Sequence, residues 1–387
     1  MRSKHVTALI AALAVLLTVS FIGVGCQSRA EPADTTAAST ATAQETTAET
    51  TVETTVEVTA EETTEATTEP EPQEIRYTLT FGGDCTLGNM KGDYGSQHSF
   101  MGVVGKNYEY PFVLLKPWFA TDDFTLVNFE GTLTNYTGAV DKAFNFHAPP
   151  EYAQILITGS VECVTLSNNH IYDYGMTGYQ DTVDALNRYG IPFAEDNGTC
   201  LYTTKNGLVI GVYADQFYMD PADIQAGIAS LQEAGAEIII ASFHWGIEKQ
   251  YTPTYDQVNN ARIAIDAGAD IVFGHHPHVL QPIEEYNGGI IYYSLSNCSF
   301  GGNTSPYDWD IAIVQQEVIR AADGTVSLGK LTVVPCCVSS SPTINNYQPM
   351  PLHRESADYR QVLDKLGLES ETFELSGVTE QAVSGGE

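Results

Sequence analysis

From residue 77 onward, short apolar runs alternate with longer amphipathic stretches. The runs at 77–81, 124–128, 163–166, 208–213, 237–243, 271–273, 290–295, 311–318 and 331–334 read as strands, several being near-continuous aliphatic segments suited to a doubly covered sheet. Between them, 151–159, 176–190, 220–235 and 254–268 carry a helical pattern. The pair Asp220–Pro221 marks one helix start, and Gly190, Gly235 and Gly268 mark helix ends. The alternation predicts an α/β domain with helices covering both faces of the sheet. The last strands lack intervening helices and are expected to form a separate antiparallel part. The domain is placed at 75–340, and 341–387 is taken as a C-terminal tail of uncertain order.

Each early strand is followed by chemistry. "YTLTFGGD" ends in Asp84, "FTLVNFE" in Glu130, "ECVTLSNNH" in Asn169 and His170, "EIIIASFHWG" carries His244, and "DIVFGHHPH" ends in His276 and His278. In open α/β sheets a ligand site lies beyond the carboxyl ends of the strands, so these residues are expected to converge. Carboxylates, an amide and imidazoles together make a mixed oxygen and nitrogen set suited to Mn, Zn or Fe as divalent ions, one or two of them. An H-x-H pair at a strand end reaches two ions because alternate side chains share a direction. By the same alternation His275 is expected to face away, and it is left out of the site.

The amino-terminal region changes the setting rather than the chemistry. Arg2 and Lys4 precede an apolar stretch over 6–25, the arrangement of an export signal, and Cys26 follows small residues as in a bacterial lipoprotein signal whose cysteine is acylated. The alternative is an uncleaved anchor, since the stretch is just long enough to span a bilayer. Either way the expected location is extracytoplasmic and membrane-anchored, with 1–26 as the anchor. Residues 27–74 are Thr- and Glu-rich, with twelve acidic residues against Arg29, and are expected to be a disordered stalk. Removing that −11 and the +2 of the signal from the total of −32 leaves −23 for 75–387. So acidic a domain argues against nucleic acid as a partner and makes a cation the natural bridge to any anionic ligand. Six cysteines besides Cys26 match no metal-knuckle spacing and support no disulfide assignment.

The ordered series "FGGDCTLG", "VNFEGTLT", "FNFHAPPEYAQIL", "VTLSNNHIYDYG", "SFHWGIE", "FGHHPHVLQPIE" and "YSLSNCSF" resembles the bacterial capsule-synthesis CapA family, also called the poly-γ-glutamate biosynthesis family. That family is related to calcineurin-like metallophosphoesterases. The resemblance implies a metallophosphoesterase-like layered α/β fold with helices flanking mixed sheets, here preceded by the stalk. It also implies roles. Asp84 looks like the first-strand aspartate and Glu130 like a carboxylate bridging two ions. Asn169 and His244 look like ligands of the second metal, with His276 and His278 as the closing pair. His170 looks like the histidine that protonates a leaving oxygen or steadies developing charge. One departure stands out: the phosphoesterase pattern begins D-x-H, whereas Asp84 is followed by Cys85 and Thr86, so the first metal lacks an imidazole.

Asp173 has two readings, orienting His170 or capping the helix near Met176. Trp245 and Glu248 are candidates to line a cleft, with plain packing and a solvated loop as the alternatives, and His147 is a candidate for the same cleft. Three function classes remain open. One is a metal-dependent hydrolase or transferase acting on a phosphate ester or on an amide-linked wall or capsule polymer, with His170 assisting departure. Another is a noncatalytic polymer-binding subunit working with membrane capsule-synthesis subunits. The third is a surface module with a vestigial site.

Overall fold

The computed structural model describes residues 73–93 and 95–375, all within the unit Thr68–Glu387. The expected anchor with Cys26, the stalk as far as residue 72, and residues 376–387 lie outside the described residues. In chain order the strands are β1 Ile75–Cys85, β2 Asn89–Met90, β3 Phe124–Phe129, β4 Thr132–Leu133, β5 Phe146–Ala148, β6 Cys163–Thr165, β7 Phe193–Ala194, β8 Gly198–Thr203 and β9 Val209–Gln216. They continue as β10 Ile238–His244, β11 Ile271–His275, β12 Leu280–Tyr286, β13 Gly289–Leu295, β14 Asp310–Arg320, β15 Val326–Cys337, β16 Met350–Pro351 and β17 Thr372–Phe373. The helices are α1 Phe100–Val104, α2 Lys116–Phe119, α3 Gln154–Thr158, α4 Gly175–Tyr189, α5 Pro221–Glu233, α6 Tyr255–Asp266 and α7 Ala357–Leu366.

Two large sheets face each other. One has the order β16-β15-β14-β1-β3-β6-β7 with β17 beside β15, and the other the order β12-β13-β11-β10-β9-β8. The inner strands β1, β3 and β6 run parallel, as do β9, β10, β11 and β13, so the carboxyl ends within each group lie together. The sequences of β3 and β10, FTLVNF and IIIASFH, are buried along their whole length, as a central parallel strand requires. By contrast β8 is nowhere fully buried and forms an edge.

Three apolar clusters fill the layers. Between the sheets, Leu79, Phe81 and Leu126 meet Val212, Ile240 and Phe273, with the Phe81 and Phe273 rings 5.1 Å apart. The outer face of the first sheet packs Val127 and Val164 against Phe100 of α1, Ile155 of α3 and Leu186 of α4. On the outer face of the second, Tyr213, Ala241 and Val272 pack against Ile228 of α5 and Ala261 of α6. Asp220 caps α5 through the Ala222 N–H, and Thr254 and Gln257 form a reciprocal capping box at α6.

The final strands do not form a separate part. β14 pairs antiparallel with β1 and continues the first sheet, because its alternate residues Ala312, Val314 and Val318 complete the inter-sheet layer. The packed chain also runs past residue 340: α7 lies against β12, β14 and β15 and buries Val362, Leu363 and Leu366. Cys85, Cys163, Cys298 and Cys336 are buried free thiols, and Cys200 and Cys337 are partly buried.

Two backbone features bring the sheets together at one end. The β1–β3 register shifts between Gly82 and Asp84, and this bulge reverses the parity of the strand. Phe81 faces the inter-sheet layer, and after the bulge Cys85 faces the outer cluster, so Asp84 is turned inward. Beyond it, β1 touches the segment that follows β13: Asp84 N–H donates to Ser296 O at 3.0 Å, and Cys298 N–H donates to Asp84 O at 2.8 Å. Gly83 is required there, since a Cβ would stand 2.0 Å from Ser296 O. Truncating the C-terminal helix contact by Leu366→Ala is expected to lower unfolding free energy by about 2–5 kcal/mol in a urea titration. An unchanged midpoint and slope would show that α7 contributes nothing to the inter-sheet core.

Candidate metal centre

The polar residues after the strands meet at the seam between the sheets. Glu130 follows β3 directly and is completely buried, and neither carboxylate oxygen has a hydrogen-bond partner among the described residues. Its Oε1 lies 3.8 Å from His170 Nε2, 3.7 Å from His244 Nε2 and 3.8 Å from His278 Nε2. Glu130, His276 and His278 each present a donor atom within 4.8 Å of the others. Two donors sharing an ion at about 2.1 Å stand roughly 3–3.7 Å apart, so these separations are close to those of a loaded site.

The cluster has two sides joined by Glu130. On one, His278 Nδ1 is 3.2 Å from Asp84 Oδ2 and 3.0 Å from Asn297 Oδ1. On the other, His244 Nε2 is 2.9 Å from Asn169 Oδ1. The His276 ring lies between them, its centroid 4.8 Å from that of His244 and 5.9 Å from that of His278. Asp84, Glu130, Asn169, His244, His276 and His278 are thus together, with His170 beside them.

Electrostatics separates their roles. Burial, only partly offset by His278 and reinforced by Asp84, pushes the Glu130 carboxyl well above its usual range. Burial also opposes charge on Asp84, but hydrogen bonding and charge from His275 and His278 hold it well below the usual carboxylate range. Burial and His276 drive His244 far down, and burial and His278 bring His276 to about 4, leaving both as neutral lone-pair donors at neutral pH. His278 is the exception: burial disfavours its charged form, yet Glu130 and Asp84 raise it to about 9. A buried carboxylate without a hydrogen bond is costly, and a divalent cation among these donors offsets that cost. The residues present therefore fit a divalent metal.

His170 is oriented from behind. Its Nδ1 is 2.8 Å from Asp173 Oδ2, and Asp173 also accepts from Phe146 N–H at 2.7 Å and from Lys142 Nζ at 2.7 Å. Lys142 also donates to Asn169 O at 2.6 Å. The helix α4 starts with Tyr174 as its cap and has no side-chain cap bond, so of the two readings of Asp173 the geometry matches the orienting one. Burial, against the pull of Asp173, lowers His170, which leaves it neutral at neutral pH.

His275 is not turned away. Its Nδ1 is 3.4 Å from Asp84 Oδ1 and its Nε2 is 3.1 Å from Ser242 Oγ. The alternation argument fails because β11 ends at His275, while His276 and His278 take positive φ values of 93° and 53° and turn back by a different path. The pattern also hid three supports. Asn128 Nδ2 donates to Asp84 Oδ1 at 2.8 Å, Asn168 Nδ2 donates to Asn128 Oδ1 at 3.1 Å, and Lys142 holds Asp173. Asn128 was legible in principle as a polar residue on the inward parity of an apolar strand, whereas Lys142 lies in a loop with no local signal. Trp245 is a packing residue that donates to Tyr293 O, and Glu248 lines an open cavity at the site. His147 sits in β5 with Nδ1 3.1 Å from Thr134 O and its ring on Tyr174, and it is not among the residues lining that cavity. Cys85 and Thr86, at the departure from D-x-H, point elsewhere: Cys85 into the outer core, and Thr86 Oγ1 toward Gly301 N–H.

Residues 78–301, which contain all of these groups, match the family described as bacterial capsule synthesis protein PGA_cap. The chain belongs to the PGA_cap family. The PGA biosynthesis protein CapA of Bacillus subtilis (strain 168) is 30% identical over 67% of this chain and 71% of its own length. The capsule biosynthesis protein CapA of Bacillus anthracis is 28% identical over 58% and 60%. A probable polyglutamine synthesis accessory protein of Mycobacterium tuberculosis (strain CDC 1551 / Oshkosh) is 27% identical over 56% and 66%. Among solved structures, TT1561 of Thermus thermophilus is 9% identical with a TM-score of 0.36, covering 66% of this chain and 99% of its own. A purple acid phosphatase from yellow lupin seeds is 12% identical with a TM-score of 0.34, covering 76% and 56%.

In this PGA_cap member, loading a metal requires His278 to give up the proton that Glu130 and Asp84 favour. Below about pH 9 the proton competes for the ring, so metal affinity is expected to rise as pH increases toward that value. Calorimetry at pH 7 in buffers of different ionisation enthalpy should register proton release on Mn²⁺ or Zn²⁺ binding; a heat independent of buffer would contradict this.

Proposed function

We propose that this chain acts in the synthesis or export of an anionic capsule-type polymer, its Bacillus relatives being named for PGA biosynthesis and for capsule biosynthesis, and that it does so through one or two divalent ions held around Glu130. The observation that carries the reading is the buried Glu130 carboxylate, without a hydrogen bond and ringed by three imidazole nitrogens at 3.7–3.8 Å. Asp84 and His278 would serve one ion, Asn169, His244 and His276 the other, and Glu130 both. A divalent ion there supplies Lewis acidity and the positive charge that an anionic ligand needs on so acidic a protein.

The chain's own residues support hydrolase- or transferase-type chemistry on a phosphate ester or an anionic polymer. With Nδ1–H given to Asp173, the network assigns the His170 lone pair to Nε2, which faces the Glu130 side of the site. Neutral His170 takes a proton at Nε2 before it can return one to a leaving oxygen. Asp173 fixes the ring and steadies the imidazolium as it forms, while Lys142 holds Asp173 in place.

Glu130→Gln keeps the shape and removes the charge, and is expected to lower metal affinity more than about a hundredfold, beyond the 10–100-fold typical of residues that only support a ligand. His244→Ala and His278→Ala should each strip metal from one side. His275→Ala, acting through Asp84, should fall within the smaller range. Elemental analysis of metal per chain, paired with a hydrolysis screen on phosphate esters and acidic polymers, checks this. Wild-type metal content in Glu130→Gln would end the reading; metal bound without turnover of any ester or polymer would favour the polymer-holding alternative.

A further inference from the structure

We propose that Lys249 and Tyr307 form a second anion subsite beside the Glu130 cluster, so that the ligand is an organic anion carrying two negative groups joined by a short carbon spacer. The inference rests on the proposed metal site, which would take the first of those groups.

An open cavity of about 220 Å³ adjoins the cluster, with His170, His278 and Asn297 at its floor. Its walls are largely aromatic, formed by Phe144, Phe146, Phe300 and Tyr307, with Phe144 and Tyr307 55% and 64% exposed, and Glu248 also lines it. Such walls suit a hydrocarbon spacer and would be a poor fit for a small inorganic anion alone. Lys249 also lines the cavity, with Nζ 5.3 Å from the Tyr307 ring centroid. Among the described residues it has no carboxylate partner, unlike Lys142, which is paired to Asp173. A lysine over an aromatic face keeps its donors free for an incoming oxyanion while its position is fixed.

The subsite is built rather than accidental. Lys249 takes a positive φ of 64°, an uncommon conformation for a side chain of this size, and its N–H donates to Pro277 O within the His-rich turn at 2.8 Å. Next to Tyr307, Asp308 accepts from Tyr251 OH at 2.9 Å and from Lys365 Nζ at 2.6 Å. The loop bearing Lys249 and the loop bearing Tyr307 are therefore tied to each other and to α7. The second group can be a carboxylate, as in a chain of acidic monomers, or a phosphate.

The test uses the full metal-loaded protein and calorimetry at low salt with three probes: γ-linked triglutamate, fructose 1,6-bisphosphate and inorganic phosphate. Wild type is expected to bind one of the two organic probes, each carrying at least two separated anionic groups, more tightly than inorganic phosphate, and which one identifies the second group. Lys249→Met should weaken that probe about tenfold, the loss of one charge-assisted contact, while Lys249→Arg retains most of the affinity. Metal content and inorganic phosphate affinity should stay unchanged in both variants, and added salt should shrink the Lys249 effect. Equal affinity of wild type and Lys249→Met for both organic probes, or an equal loss for inorganic phosphate, overturns the subsite. If metal and phosphate bind but Lys249 is silent, only this inference falls; if wild type binds neither metal nor phosphate, the Glu130 reading falls and the subsite with it.

Discussion

A carboxylate buried without a hydrogen bond is the constraint around which this structure is arranged. Glu130 lies at the end of a strand whose every residue is buried, and three imidazole nitrogens stand 3.7–3.8 Å from its Oε1, just too far away to bond to it. Nothing in protein stability favours such a group, because burying a carboxyl group without a hydrogen bond is unfavourable whether or not it is charged. The arrangement makes sense as one half of an interaction whose other half is a cation. The neutral state of His244 and His276 and the ionised state of Asp84 are the protonation states that such an ion uses.

The rest of the fold can be understood as the means of holding that carboxylate in place. Two sheets with parallel centres send their carboxyl ends to one seam, and the bulge at Gly82–Gly83 turns Asp84 inward just where β1 meets the segment after β13. Each sheet is packed from outside by its own helical layer, so the seam joins two sheets that are each covered on their outer face. Behind the donors runs an amide network, Asn168 to Asn128 to Asp84, that fixes the acid's orientation without adding charge.

Much of this was legible in the sequence because parallel strands announce themselves as apolar runs and their ligand-bearing ends as polar residues at or shortly beyond the end of each run. Asp84, Glu130, Asn169, His170, His244, His276 and His278 all stand in that position, and the structure gathers them. Parity was the weak point. Counting back from His276 and His278 places His275 outward, whereas β11 ends at His275 on the parity of inward-facing Phe273 and the two later histidines turn at positive φ; in β1 the bulge likewise turns Asp84 rather than Cys85 inward. Neither leaves a mark in hydrophobic periodicity, since each is settled by a neighbouring chain far off in sequence. The strand 280–286 was missed for a related reason: it is an antiparallel edge with a mixed pattern. Helix α7 lay in what read as a tail, and its partners come from β12, β14 and β15, which no local pattern connects to it.

The central claim is that Glu130 exists to hold a divalent cation, and the most direct measurement is a crystal structure grown with Mn²⁺, with diffraction collected at the manganese edge. The account predicts an anomalous peak roughly 2.0–2.3 Å from a Glu130 carboxylate oxygen, with His244 or His278 completing the coordination. A map with no anomalous density near Glu130, and its carboxyl group instead hydrogen-bonded to ordered water or to a repositioned histidine, would contradict it.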